Sequence, residues 1–371
     1  MQHIPLTIES LRNLEEDEDP NLHEKKQIFE YLEKHLNMKQ TNYELLSMGS
    51  HGVVISPSFI INSNDELSKD FENLSTDSFI SKVLNLDNEE EIYIEKEIHI
   101  SKKLKKIDKK YEHFIYPCSF EKIDKHFYNI IMKKGFDFEL NIQQLHFKQL
   151  LNCLYNLVDS IKILSDNNIL LLDLKPDNFL FSEIKEHFYK SVIIDFSGEL
   201  LIENTNDFDD YISNFEFYCH DFWPAELTIL LHRVGLKNQD PKDKDLVKKE
   251  IRKYEEIIKL KFGYNDSKNI NYQIEIYSHL IKELHKIRLG GKSDLYQKIM
   301  LYQIGRSFEY ILYKYKKHLK LTRIQRNIFS QILLSITDEN YFSRVNIRDF
   351  KTSLKKYIPK HNCLIKIDKI L

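Results

Sequence analysis

Leu170-Leu171-Leu172-Asp173-Leu174-Lys175-Pro176-Asp177-Asn178-Phe179 is followed along the chain by Val192-Ile193-Ile194-Asp195-Phe196-Ser197-Gly198. The apolar run that begins each stretch predicts a short buried strand. The turn after the first strand holds an aspartate, a lysine and an asparagine, and the apolar residues on both sides can fix the directions of these groups. A second aspartate follows the next strand at hairpin spacing. We therefore expect two carboxylates, an ammonium group and an amide to serve one site, although the first stretch also has the composition of an ordinary turn.

The order of these groups suits phosphoryl transfer from a Mg²⁺-bound nucleotide. The two stretches resemble the catalytic loop H-R-D-L-K-P-x-N and the metal-binding D-F-G motif of the eukaryotic-type protein kinases. The resemblance implies that Asp173 accepts the proton of the substrate hydroxyl and that Lys175 neutralises charge on the transferred group. It also implies that Asn178 and Asp195 bind the Mg²⁺ or Mn²⁺ ion that accompanies ATP. A lysine two residues after the aspartate is the choice of the serine/threonine members.

An upstream glycine pair lies in Gly49-Ser50-His51-Gly52-Val53-Val54. It resembles the later part of the family's glycine-rich loop G-x-G-x-x-G-x-V, with Ser47 in place of the first glycine. Glycines let backbone N–H groups approach phosphates closely, so the resemblance implies nucleotide contacts at Gly49, Gly52 and Val54. An ordinary hairpin turn explains the same glycines equally well.

A lysine lies among apolar residues in Asp77-Ser78-Phe79-Ile80-Ser81-Lys82-Val83-Leu84, which predicts a strand and resembles V-A-I-K. The resemblance implies an ion pair between Lys82 and a glutamate of the following helix, predicted over Glu89 to Lys106 from its apolar spacing and its strong helix formers. We choose Glu97 as that partner, with Glu95 as the competing choice. The alternative for Lys82 is a surface lysine on an edge strand.

Phe127-Tyr128-Asn129-Ile130-Ile131-Met132-Lys133-Lys134-Gly135 predicts a strand that ends in a glycine turn. It is similar to the hinge of kinases such as the casein-kinase and vaccinia-related groups. The similarity implies that Met132 lies near the adenine pocket and that the backbone around Lys134 faces the base. Methionine at such a position is also an ordinary core residue.

Further downstream, Phe222-Trp223-Pro224-Ala225-Glu226-Leu227 resembles the family's A-P-E segment. In the family this glutamate pairs with a buried arginine, and Arg344 lies where that arginine is expected. The joint appearance of the two residues predicts a buried ion pair. A long helix is predicted around Leu295 to Lys317, and we choose Asp294 as the aspartate with which the family begins it. The alternative is that Gly305 is the family's helix glycine, which fits better and would place Met300 at the aspartate position.

The resemblance implies an α+β fold with two lobes, a small β-rich N-lobe with one helix and a larger, mainly helical C-lobe. We predict the N-lobe over residues 40–135 and the C-lobe over 136–358, with a lysine-rich helical insertion at about 228–293. An N-terminal helical extension (1–39) and a C-terminal tail (359–371) flank them.

The composition is that of an ordinary globular chain, with 371 residues, 42% of them hydrophobic and 12% aromatic. The net charge of −3 gives no electrostatic case for nucleic acid or an anionic membrane as a partner. The four cysteines are scattered without metal-ligand spacing, which favours a reducing compartment, and no apolar run is long enough to span a bilayer. We expect a soluble, intracellular protein. The wealth of Lys, Asn and Ile indicates an AT-rich genome, a bias that large DNA viruses and some protists share.

These features predict an ATP-dependent serine/threonine-protein kinase that acts on protein substrates. Two alternatives stay open. One is a pseudokinase that acts as a binding scaffold. It is favoured by Ser47 in place of the first loop glycine, by Leu171 and Leu172 in place of the family's His and Arg, and by Ser197 in place of the D-F-G glycine. A small-molecule phosphotransferase of the choline or aminoglycoside type shares the aspartate and the asparagine, but typically lacks the Lys-Pro step.

Overall fold

The computed structural model describes residues 44–48, 52–58, 78–85, 91–123, 127–186, 188–196, 201–203, 222–227, 275–276, 278–280, 292–358 and 364–366. These residues divide into two compact units. The first contains the described residues up to Gly135 together with Asp195 and Phe196, and the second contains the rest. The predicted extension at 1–39 and most of the predicted insertion lie outside the described residues.

The first unit is built on an antiparallel sheet with the strand order β1-β2-β3-β5-β4. Its strands are β1 (Glu44–Met48), β2 (Gly52–Ser56), β3 (Phe79–Asn85), β4 (Pro117–Lys122) and β5 (Phe127–Lys133). Alternation places every second side chain on the same face of a sheet. The central strand β3 therefore presents Lys82 and Leu84 on one face, between strands β2 and β5.

One helix of the first unit, α1 (Glu91–Ile107), packs against this sheet. Its sequence is rich in strong helix formers, and the two lysines of its last turn complement the negative end of the helix dipole. The apolar side of α1 contributes Ile94 and Ile98 to a core cluster with Leu84, Tyr128 and Ile130. The cluster therefore fixes α1 on the face of the sheet that also carries Lys82.

The second unit combines helices with two small antiparallel sheets. In chain order its elements are β6 (Phe136–Asp137), α2 (Phe138–Ile142), α3 (Phe147–Asp166), β7 (Ile169–Leu171), β8 (Phe179–Lys185), β9 (Phe188–Ile193), β10 (Leu201–Glu203), α4 (Lys292–Lys314), α5 (Arg323–Thr337), α6 (Ile347–Leu354) and β11 (Ile365–Lys366). A 3₁₀ turn, Pro176–Asn178, leads from the β7 segment into β8. One sheet has the order β11-β9-β8-β6, and the other pairs β7 with β10.

Phenylalanine rings form the centre of the second unit. The ring of Phe138 lies 5.5 Å from that of Phe179, 5.1 Å from that of Phe181 and 6.1 Å from that of Phe308. All four side chains are almost completely buried. This cluster joins the hairpin of β8 and β9 to helix α4, and so anchors the start of β8, where the loop after β7 ends.

The described residues therefore form a mixed fold of small antiparallel sheets and helices, as the sequence predicts. The helix predicted over Glu89 to Lys106 is observed at Glu91–Ile107, and the strand of the predicted hinge at Phe127–Lys133. Within the segment predicted to be a C-terminal tail, Ile365–Lys366 forms a strand that pairs with β9 through Tyr189 and Phe188.

Candidate functional site

The loop after β7 brings three predicted side chains into direct contact. Lys175 Nζ lies 2.9 Å from Asp173 Oδ2, and Asn178 Nδ2 donates to the same oxygen at 2.9 Å. Asn178 Nδ2 also donates to the Asp173 carbonyl at 2.8 Å. The Asp173 side chain keeps 14% of its surface exposed, so its carboxylate is held by an ammonium group and an amide without being fully enclosed.

Local backbone structure explains why these residues meet. Proline fixes φ near the helical value, and Pro176 begins the 3₁₀ turn in which Asn178 N–H donates to the Lys175 carbonyl at 3.0 Å. The turn returns the Asn178 side chain to Asp173. At its end, the Asn178 carbonyl accepts from Ile194 N–H at 3.0 Å, which ties the loop to the residue that precedes Asp195.

Three residues that hold this loop were not identified from the sequence. Gln303 and Ser307 of α4 and Trp223 each make hydrogen bonds to the loop backbone. Asp294, which we chose as the helix aspartate, instead accepts from Tyr341 Oη at 2.7 Å. Asp294 therefore does not identify the residues that contact the loop, because Gln303 and Ser307 lie more than two turns further along the helix.

The first unit places Lys82 on the sheet face that α1 covers. In the strand register, Lys82 lies opposite Val54 of β2 and Ile130 of β5. Directly opposite residues of antiparallel strands point to the same face. Val54 and Lys82 therefore share a face with the core cluster and with Glu97 of α1.

Glu97 is buried, whereas the competing Glu95 is exposed. Burial raises the pKa of Glu97 to about 7; Lys82 opposes this rise and the negative charge of Asp195 adds to it. Burial alone would lower the pKa of Lys82, but the attraction of Asp195 and Glu97 outweighs it and the pKa is raised. The attraction of these two acidic residues thus favours the charged form of Lys82.

Asp195 has a left-handed backbone conformation, with φ of 60°. A non-glycine residue in this region costs of order 1 kcal/mol or more and persists only when its surroundings impose it. One such constraint is the next residue, Phe196, whose buried ring packs edge-on against Phe114 at 5.7 Å. The Asp195 carboxylate interacts electrostatically with Lys82 and Glu97.

The predicted glycine-rich loop is described only in part. Gly49 lies outside the described residues, and Val54 is half-buried in β2. A Cβ atom added to Gly52 would lie 2.3 Å from the Val83 carbonyl oxygen and 2.7 Å from Leu84 Cδ2. The close approach of β2 to β3 therefore already requires glycine at this position, independently of any nucleotide.

The predicted hinge residues lie at the end of β5. Met132 is half-buried and packs on the core cluster of the first unit. Lys134 N–H donates to the Ser78 carbonyl at 2.8 Å, and Lys134 Nζ donates to Ser56 Oγ at 3.0 Å. These contacts account for both residues as parts of the sheet and its edge, and a nucleotide contact by either residue stays a prediction.

The predicted ion pair between Glu226 and Arg344 is confirmed. Arg344 Nη2 donates to Glu226 Oε2, and the two side chains are 1% and 0% exposed. The guanidinium also lies over the rings of Tyr302 and Tyr341, at 5.0 and 5.7 Å from their centroids. The pair fixes the segment that carries Trp223 to the helical part of the second unit.

The donor set is compatible with Mg²⁺. Among the described residues no three histidine, cysteine or acidic side chains cluster as a preformed metal site. Magnesium, however, is usually held by one or two protein carboxylates together with substrate phosphates and water. In the second unit, the Asn178 amide nitrogen is committed to Asp173, so the amide oxygen is the atom that could face a cation. In the first unit, Asp195 is a carboxylate of the kind that binds Mg²⁺.

Comparison with known proteins shows no matching family model and a distant structural similarity. No family model matches the chain, and no curated protein matches it. Among solved structures, the chain is similar to the Twitchin kinase region from C. elegans (Fn31-NL-kin-CRD-Ig26), with 13% sequence identity and a TM-score of 0.44. The match covers 86% of this chain and 45% of that one, so the present chain spans less than half of its length. A likeness of this degree assigns neither activity nor substrate.

In the part of the chain that the structure describes, the helices are too short or too polar to cross a membrane.

Proposed function

We propose that this chain is an ATP-dependent protein kinase that transfers the γ-phosphoryl group to serine or threonine hydroxyls of protein substrates. The observation that carries the proposal is the contact of Asp173 with both Lys175 and Asn178. An aspartate beside a lysine and an asparagine, on a loop anchored in a buried core, is the arrangement that positions a hydroxyl nucleophile against a phosphoryl group.

In this mechanism Asp173 accepts the hydroxyl proton as the oxygen attacks phosphorus. Lys175, 2.9 Å from that carboxylate, donates to the oxygens of the transferred group and offsets their charge. Its contact with Asp173 keeps the ammonium group beside the proton acceptor before substrate arrives. Positioning and charge neutralisation supply most of the rate enhancement in such reactions.

In the first unit, Lys82 would bind the nucleotide phosphates, with Glu97 setting the position of its ammonium group. Asp195 and the Asn178 amide oxygen would hold the divalent ion. When bound, Mg²⁺ would neutralise charge on the β- and γ-phosphates. The raised pKa of Lys82 supports this role, because a lysine that binds phosphate must stay protonated.

The test measures label transfer from radiolabelled Mg-ATP to casein and myelin basic protein by the full chain. The control for Asp173→Asn is Asp166→Asn, which changes an exposed aspartate in a helix. The control for Lys82→Met is Lys102→Met, on the exposed side of α1. We expect Asp173→Asn to lower the rate by about 10²- to 10⁴-fold, as loss of a general base does. Lys82→Met should also weaken ATP binding, and neither control should change the rate.

Each other outcome identifies a different function. Nucleotide binding without transfer by the wild type would contradict the proposal and favour a binding scaffold. ATP turnover without labelled protein would favour a small-molecule acceptor. Transfer that survives Asp173→Asn would show that the assigned residue does not accept the proton.

A further inference from the structure

Five consecutive backbone carbonyls around Asp173, from Leu171 to Lys175, all accept hydrogen bonds. Two of them, those of Asp173 and Lys175, are bonded by Asn178 within the loop itself. The other three are bonded by side chains that lie far away in the sequence. Buried backbone carbonyls need hydrogen-bond donors, and here a specific protein group supplies one at each residue of the loop.

The three distant donors are neutral. Gln303 Nε2 donates to the Leu171 carbonyl at 3.2 Å, and Trp223 Nε1 donates to the Leu172 carbonyl at 2.7 Å. Ser307 Oγ shares its one proton between the Leu174 carbonyl at 3.0 Å and the Gln303 carbonyl of its own helix at 2.9 Å. We call Gln303, Ser307 and Trp223 the loop clamp. The side chains of Gln303 and Ser307 are fully buried and that of Trp223 is 1% exposed, so water cannot replace these donors.

Gln303 binds the loop on both sides of Asp173. Its Oε1 accepts from Leu174 N–H at 3.1 Å while its Nε2 donates to the Leu171 carbonyl. A carbonyl can only accept and an N–H can only donate, so the amide has one productive orientation. A carboxylate at this position could bind Leu174 but would repel the Leu171 carbonyl. Glutamine is therefore suited to bridge the residues that flank the predicted proton acceptor.

We infer that the loop clamp positions Asp173 for catalysis. The inference rests on the proposed function, since it concerns the same site. The Asp173 carboxylate is attached to a backbone segment whose neighbours on both sides are fixed by one side chain of α4. Loss of the clamp lets this segment shift, and a displacement of about 1 Å from the reacting atoms can cost about 100-fold in rate.

The experiment compares steady-state kinetics of the full chain with hydrogen exchange over residues 171–175. The variants are Gln303→Leu, Gln303→Glu, Ser307→Ala and Trp223→Phe, of which the last keeps a ring but removes the donor. The matched controls are Gln331→Leu and Ser330→Ala on the exposed face of α5. Rates are normalised to the folded fraction, so that a variant that merely unfolds is not counted as a catalytic effect.

Positioning predicts a lower kcat with an unchanged KM for ATP, because the residues assigned to the nucleotide lie elsewhere. We expect kcat to fall by about 10- to 100-fold in Gln303→Leu, with faster exchange at residues 171–175, and by less in Gln303→Glu, which retains the bond to Leu174. The controls should match the wild type.

Two results would overturn the inference in distinguishable ways. If the wild type transfers phosphate and the folded clamp variants retain its kcat, the clamp does not position Asp173, although the proposed function stands. If the wild type transfers no phosphate at all, the proposed function fails and the inference fails with it.

Discussion

Removal of Glu226 should destabilise the protein far more than removal of an ordinary surface carboxylate. Its partner Arg344 would remain in the interior with 1% of its side chain exposed and without its hydrogen-bonded counter-charge, although the carboxylate of Glu339 would still attract it. Breaking a buried ion pair in this way costs about 3–5 kcal/mol. A typical protein has only about 5–15 kcal/mol of stability, so Glu226→Ala should lose a large part of it.

Contacts with aromatic rings make the loss of stability unequal in the two single variants, Glu226→Ala and Arg344→Met. In Glu226→Ala, the guanidinium still lies over Tyr302 and Tyr341 and still donates to the Lys298 carbonyl at 3.3 Å. In Arg344→Met, the orphaned group is a carboxylate with no such compensation. We therefore expect both losses to fall within the range above, with the larger loss in Arg344→Met.

The assay is equilibrium unfolding in urea followed by tryptophan fluorescence. The chain has one tryptophan, Trp223, which is buried three residues before Glu226 and reports on this segment. The double variant Glu226→Leu with Arg344→Met removes both charges together, and such replacements are often neutral or stabilising. A loss below about 1 kcal/mol in Glu226→Ala would refute the reasoning, because that is the range of an exposed pair.

Two further predictions concern the first unit. The ordinary pKa of a glutamate is 4.5, whereas that of Glu97 in the folded state is about 7. Between these pH values the folded state binds a proton that the unfolded state has lost. The contribution of Glu97 to stability is therefore lost as the pH rises from 4.5 to about 7. The unfolding free energy of the wild type, measured relative to Glu97→Gln by urea titration at each pH, should fall by about 3 kcal/mol over that interval; a difference that is constant or rises with pH would contradict the assignment. Gly52→Ala should cost about 1–3 kcal/mol, because the new Cβ would lie 2.3 Å from the Val83 carbonyl; an unchanged melting temperature would show that β2 can shift away from β3.

The local parts of the site could be predicted from the sequence because their signals are short in range. The turn from Asp173 to Asn178 encodes its own contacts through Pro176 and the spacing of its polar groups. The spacing of apolar residues in α1 predicted a helix, and the preference for Glu97 over Glu95 agrees with which of the two is buried. In each case a few neighbouring residues determine the result.

The loop clamp could not be predicted in the same way. Gln303 and Leu174 are 129 positions apart, and glutamine, serine and tryptophan carry no charge pattern that links them to a distant loop. A weak signal was nevertheless present: Gln303 and Ser307 lie four residues apart in a helix stretch whose neighbours are largely apolar. Two polar residues on the apolar face of a helix need partners when buried, which indicates a contact with unpaired backbone groups.

The neutral clamp also bears on the two leucines that precede Asp173. Leu171 and Leu172 are almost completely buried, so a charge at either position would have to be taken out of water at a cost of several kcal/mol. With apolar side chains there, the fold fixes the loop through backbone carbonyls and neutral donors instead. Charge is then concentrated at Asp173 and Lys175, which remain partly exposed. Apolar residues at both positions are thus compatible with a loop that is held through its backbone, which weighs against treating these leucines alone as a sign of an inactive scaffold.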